Sequence, residues 1–158
     1  MFWKKPDLDS KPVILVICTG NSCRSQIAEG LIKDRYGDRV RIYSAGSHPS
    51  GIVHPMAIEV LSEVDINIRR NKSQHWDDLP VDDFDLIITL CDKADHYCPL
   101  VPTEKGERKH MPFPDPIYVR GSQEEIRQAF RETRERIDEE LLPVIEEWLN
   151  QWETIEEE

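Results

Sequence analysis

The sequence predicts an α/β fold, a three-layer sandwich on a central four-stranded parallel sheet with helices on both faces. Two observations carry this. Short apolar runs alternate with stretches of helical periodicity along the chain, the pattern of parallel strands joined by crossover helices. The first run, V-I-L-V-I, is also continuous rather than alternating with polar residues, as suits a strand covered on both sides. In such open sheets, ligands sit beyond the carboxyl ends of the strands.

Each element has its own signal. Residues 13–17 read as a buried strand, with Lys11 and Pro12 before it and a glycine turn after. A helix follows over 25–36, where Ile27, Leu31 and Ile32 mark the apolar stripe and Gly37 the stop. Val40 to Ser44 is the second strand, and His54 to Val64 the second helix, its Met56, Val60 and Val64 spaced by four. Residues 84–90 (F-D-L-I-I-T-L) form the third strand, and a short fourth is placed near Lys109 to Phe113. From Gln123 to about Trp152, Ile126, Phe130, Ile137, Leu141, Ile145, Trp148 and Trp152 fall near helical spacing. Pro143 should kink or divide that segment, because proline lacks an N–H and clashes with the preceding turn.

The 158 residues divide most simply into an extension over 1–12, one catalytic domain over 13–152 and an acidic tail over 153–158. A formal charge of −11 argues against a nucleic-acid partner, since phosphate backbones attract clustered Lys and Arg. No apolar run is long enough to span a membrane or to serve as a signal segment, so the expected setting is cytoplasmic, where thiols stay reduced. Four cysteines there point to chemistry or to metal rather than to structural staples.

The stretch C-T-G-N-S-C-R-S concentrates that chemistry. Cys18 ends the first strand, and Arg24 follows with five residues between them. Thr19, Gly20, Asn21, Ser22 and Cys23 form a loop whose backbone N–H groups can turn inward, and Ser25 opens the helix, whose N-terminus adds positive potential. Arg24 brings a planar fork of donors matched to a tetrahedral oxyanion. The same features hold Cys18 as thiolate, the form that attacks. Cys23 reads as small packing or a backbone donor.

C-T-G-N-S-C-R-S-Q-I-A-E-G followed by Y-S-A-G resembles the low-molecular-weight protein tyrosine phosphatase superfamily. Gln26 stands where the phosphatases usually place proline and the thioredoxin-coupled arsenate reductases carry glutamine. T-L-C-D-K-A-D-H-Y-C-P resembles the redox pair of those reductases, with six residues between Cys91 and Cys98. F-P-D-P, with Asp115 before Pro116, resembles the superfamily's general acid. The resemblance also implies a monovalent cation beside the loop. Asn21, Glu29 and Ser44 match that site, while Gln74 falls where an acidic ligand is expected. No other metal and no tightly bound cofactor is implied.

The resemblance implies arsenate reduction by a thiol relay. Cys18 attacks arsenic, Arg24 and the loop amides hold the oxygens, and Asp115 protonates the departing oxygen. Cys91 then attacks Cys18 and expels arsenite, Cys98 captures Cys91, and thioredoxin or a glutaredoxin-type dithiol closes the cycle. Cys91 ends the third apolar run as Cys18 ends the first, so neighbouring strands would bring their tips within reach of a disulfide, about 4.8 Å. A helical 91–98 would hold Cys98 about 10 Å from Cys91, which requires that segment to unwind. Two readings compete. A phosphatase needs only Cys18, Arg24 and Asp115, and a redox-sensing interaction domain needs only the cysteines. A zinc site fits less well, because Cys91 and Cys98 are spaced too widely.

Overall fold

The computed structural model describes residues 11–92, 101 and 105–157. Its four strands are β1 (Val13–Cys18), β2 (Arg41–Gly46), β3 (Leu86–Thr89) and β4 (Glu107–His110). They form one parallel sheet in the order β2-β1-β3-β4. All six residues of β1 are buried, as a central strand covered on both faces requires.

Four α-helices connect and follow the strands: α1 (Arg24–Tyr36), α2 (Pro55–Ser62), α3 (Gln123–Glu140) and α4 (Leu142–Glu157). Side-chain alternation divides the core. Ile14, Val16, Leu86 and Ile88 face a layer built from Ile27 and Ile32 of α1, Leu61 of α2, Phe130 of α3 and Ile145 of α4. Leu15, Ile17, Ala45 and Ile87 point the other way, onto Leu79, Phe84 and Val101. Trp76 borders this second cluster and begins a 3-10 turn, Trp76–Asp78. Among the described residues all four α-helices serve the first face. At Gly30, an added Cβ would stand 2.7 Å from Leu61 Cδ1, which shows how closely α1 approaches α2.

The α/β sheet expected from the sequence is present, with shifts at its margins. The fourth strand lies at Glu107–His110 rather than near 109–113. It is an edge strand with charged, largely exposed side chains, so no apolar run announces it. Met111 and Phe113 still donate backbone N–H groups to Thr89 and Leu90 at 2.9 and 3.0 Å. The C-terminal segment divides at Leu141, two residues before Pro143, which therefore sits in the first turn of α4, where its missing N–H costs nothing. The same helix runs past Trp152 to Glu157.

Candidate active site

The strand order places the site. From β1 the chain passes to β2 on one side, and from β3 to β4 on the other, so the connections diverge at the carboxyl ends of β1 and β3. Such a switch point opens a crevice in a parallel sheet. Cys18 is the last residue of β1, and Cys91 follows β3 by two residues. The strands are neighbours, as the disulfide argument required, and Leu90 N donates to the Ile17 carbonyl at 2.8 Å, one step beyond the ladder.

Residues 19–23 leave β1 as a loop strapped from outside. The carbonyls of Thr19, Gly20 and Ser22 accept from the backbone N–H groups of His48, Ser50 and His54 at 2.9, 3.0 and 3.0 Å. No peptide bond among the described residues is cis, and a trans unit points its N–H opposite its C=O. The amides of Gly20, Asn21 and Cys23 are thereby turned away from the strap, as a nest of donors requires. Asn21 adopts the left-handed region, φ 48°, and turns the loop. Its side chain holds that turn. Nδ2 donates to Ser25 Oγ at 2.8 Å and Ser44 Oγ at 3.0 Å, and Oδ1 accepts from Gln26 Nε2 and the Gln74 N–H.

Cys18 is a free thiol, 2 % exposed, with Sγ 3.0 Å from Ser25 Oγ. Arg24 is 1 % exposed, an expensive place for a charge unless it is fully engaged. Nη1 donates to the carbonyls of Leu90 and Phe113 at 3.3 and 3.0 Å, and Nη2 to Asp115 Oδ2 at 3.2 Å. One guanidinium thus ties the loop to the ends of the two neighbouring chain segments. Asp115 also caps the 3-10 turn Pro116–Tyr118, its Oδ1 accepting from Ile117 N. Cys23 is a free thiol held well above the usual range, first by burial and then by the nearby Asp115 and Cys18. That makes it a poor nucleophile, in line with its reading as packing. Burial lowers the pKa of His54, with Asp115 opposing. Its Nδ1 accepts from Met56 N, which leaves the ring proton on Nε2.

The residues expected from the sequence converge in part. Cys18, the loop 19–23, Arg24, Ser25 and Asp115 come together. Cys91 is buried and disulfide-bonded, whereas Cys98 lies outside the described residues. Asn21, Glu29 and Ser44 form one cluster, in which Ser44 Oγ donates to Glu29 Oε2 at 3.0 Å and burial pushes the Glu29 carboxyl up to about 7. Sequence reasoning missed the outer supports: the 48–54 strap, Ser73, whose hydroxyl donates to Gly20 O at 3.0 Å, and Asn71. Several act through main-chain groups, which leave no mark on residue type. Among the described residues no three His, Cys, Asp or Glu gather as metal ligands, and no helix is long and apolar enough to cross a membrane.

A buried thiol at the end of the central strand, facing a strapped loop and an anchored arginine, is the arrangement of cysteine-based phosphoryl chemistry. The family profile described as Low molecular weight phosphotyrosine protein phosphatase matches residues 13–154, and the chain belongs to that family. Among its relatives is the arsenate reductase of Halalkalibacterium halodurans, 42% identical over 128 residues that span 81% of this chain and 91% of the relative. A solved structure titled as an arsenate reductase in the phosphate binding state is similar at TM-score 0.67 and 27% identity, covering 86% of this chain and 98% of that one. The thioredoxin-dependent arsenate reductase of Corynebacterium glutamicum is similar at TM-score 0.55 and 30% identity, over 82% of this chain and 59% of that one.

Proposed function

We propose that this chain is an arsenate reductase working through a three-cysteine relay. The observation that carries the reading is the pairing of Cys18, free beneath the strapped loop, with a second sulfur, Cys91, leaving the adjacent strand. A phosphatase of this family has no use for that second sulfur.

Arsenate enters as the oxyanion, held by the loop amides and the Arg24 fork. The Cys18 thiolate, with the Ser25 hydroxyl 3.0 Å away as donor, attacks arsenic. An oxygen leaves as water, protonated by Asp115, and an S–As bond forms. The Cys91 thiolate then attacks Cys18 sulfur. The S–As bond breaks, its electron pair stays on arsenic, As(V) becomes As(III), and a Cys18–Cys91 disulfide remains. Cys98 attacks Cys91, frees Cys18 and forms Cys91–Cys98, which an external dithiol such as thioredoxin reduces. The oxidised Cys91 beside a free Cys18 is the thiol pattern that would follow such a turn of the relay.

The test couples arsenate-dependent NADPH oxidation to thioredoxin and its reductase, with aryl-phosphate hydrolysis run alongside. Cys91→Ser should abolish the first and spare the second. If it spares both, Cys91 has no part in the relay, and a parent protein that hydrolyses the aryl phosphate but leaves arsenate unreduced would leave the phosphatase chemistry alone standing. Mass spectrometry of thiols after arsenate treatment reports the order in which the cysteines pair.

A further inference from the structure

The monovalent cation implied by family resemblance would need the oxygens of Asn21, Glu29 and Ser44 turned toward one point, free of competing donors. Here they are engaged. Asn21 Oδ1 accepts from Gln26 Nε2 at 3.1 Å and from the Gln74 backbone N–H at 2.9 Å. Glu29 Oε2 accepts from the Ser44 hydroxyl and from Asn71 Nδ2, both at 3.0 Å. Ser44 Oγ accepts from Asn21 Nδ2 at 3.0 Å. Gln74 occupies the position of the expected acidic ligand, and what it supplies to the cluster is an N–H. The residues present do not fit the ion.

We propose that this chain holds its anion loop with an internal amide network in place of a cation, and that Gln26 is the positioning residue that closes it. Gln26 is fully buried. Its Nε2 lies 3.1 Å from both the backbone and the side-chain oxygens of Asn21 and 3.0 Å from the Lys72 carbonyl, while its Oε1 accepts from Asn71 Nδ2 at 3.1 Å. One side chain therefore locks the left-handed turn at Asn21 and fastens the loop to the 71–74 segment. Asn71 carries the connection on to Glu29, and Ser73 secures Gly20 from the same segment. A donor network of this kind supplies fixed partial positive charge toward Glu29 and Asn21, the service a cation would perform. The inference rests on the loop alone and holds for an arsenate reductase and a phosphatase alike.

Thermal unfolding in potassium chloride against tetramethylammonium chloride, at equal ionic strength, tests the ion directly, because a cation bound to the native state raises the midpoint by mass action. Equal midpoints, within about 1 °C, are expected. A potassium-dependent rise of about 3 °C or more would overturn the proposal. Asn71→Asp replaces an amide donor with a second carboxylate beside Glu29. It should melt lower in tetramethylammonium and recover in potassium, and a variant that melts like the parent in both salts counts against the network. For Gln26, calorimetric titration with inorganic phosphate well below the midpoint separates positioning from folding. Gln26→Met should bind about tenfold more weakly while keeping its circular dichroism, the range expected when a supporting group lets a binding loop shift. Unchanged affinity would remove Gln26 from the role.

Discussion

At Gly46 a β-carbon would stand 2.5 Å from the Thr19 carbonyl oxygen, 2.9 Å from Asn21 N and 3.0 Å from the Cys18 carbonyl oxygen. Backbone atoms cannot step aside as a flexible side chain can, so Gly46→Ala must displace the loop or β2. Displacements of about 1 Å in a reacting geometry cost about 100-fold in rate. Gly46→Ala is therefore expected to lower kcat/KM for arsenate by that order while the protein stays folded, and near-parental kinetics would show that the loop tolerates the shift. Arg24 is the second position where atomic detail decides. Its contacts to Leu90 O, Phe113 O and Asp115 run in fixed directions, and a lysine ammonium cannot reproduce a planar fork. Arg24→Lys keeps the charge and loses the geometry. Steady-state kinetics should show a fall of about 100-fold or more, the scale of losing a preorganised oxyanion donor, with phosphate affinity falling alongside. Both residues were legible in part. Arg24 stood out by its spacing from Cys18, whereas the need for glycine at 46 arises from chain segments that meet only in the fold.

Secondary-structure elements were legible wherever burial writes a pattern. β1 and α1 face the core along their length and were placed within a residue. β4 was misplaced because it pairs through its backbone while its side chains meet solvent. The brace between α2 and α3 was invisible for a related reason, being built from surface charges far apart in sequence. Glu63 accepts from Arg131 at 2.6 Å and from Arg134 at 2.9 Å, and Arg131 also reaches Glu124. Hydrogen bonds from Arg131, then from Arg134, draw the Glu63 carboxyl down to about 2 against its ordinary 4.5. The folded state then binds fewer protons than the unfolded one between those values, so the stabilisation is present above about pH 4.5 and is lost as pH falls through about 2. Being near the surface, the brace is worth about 1 kcal/mol. Urea unfolding should place Glu63→Gln below the parent by about that amount at pH 7, with the gap closing toward pH 2 and shrinking in high salt. A gap that does not change with pH would mean the glutamate acts through packing.

At the scale of the whole molecule, Phe130 joins the core to the outer support of the site. It is fully buried in the larger cluster, and its ring lies 4.8 Å from that of His54. His54 caps α2 and donates its backbone N–H to the Ser22 carbonyl, so the strap over the anion loop is seated on the helical layer. Such a connection cannot be read from periodicity. The spacing of Phe130 identified a core residue, but only the fold reveals that it lies beneath the loop's outer support. Removing the ring deletes core packing and the seat of the strap together. Phe130→Ala is expected to cost about 3–5 kcal/mol, a fall in the thermal midpoint of roughly 10 °C for a chain of this size. Phe130→Leu fills much of the space but leaves His54 without its aromatic neighbour, and should cost about 1–2 kcal/mol. If Phe130 acts on the site as well as on stability, both variants will bind inorganic phosphate more weakly at temperatures where they remain fully folded, alanine more than leucine. Parental phosphate affinity in a folded Phe130→Ala protein would confine the residue to the core and show that the strap keeps its place without it.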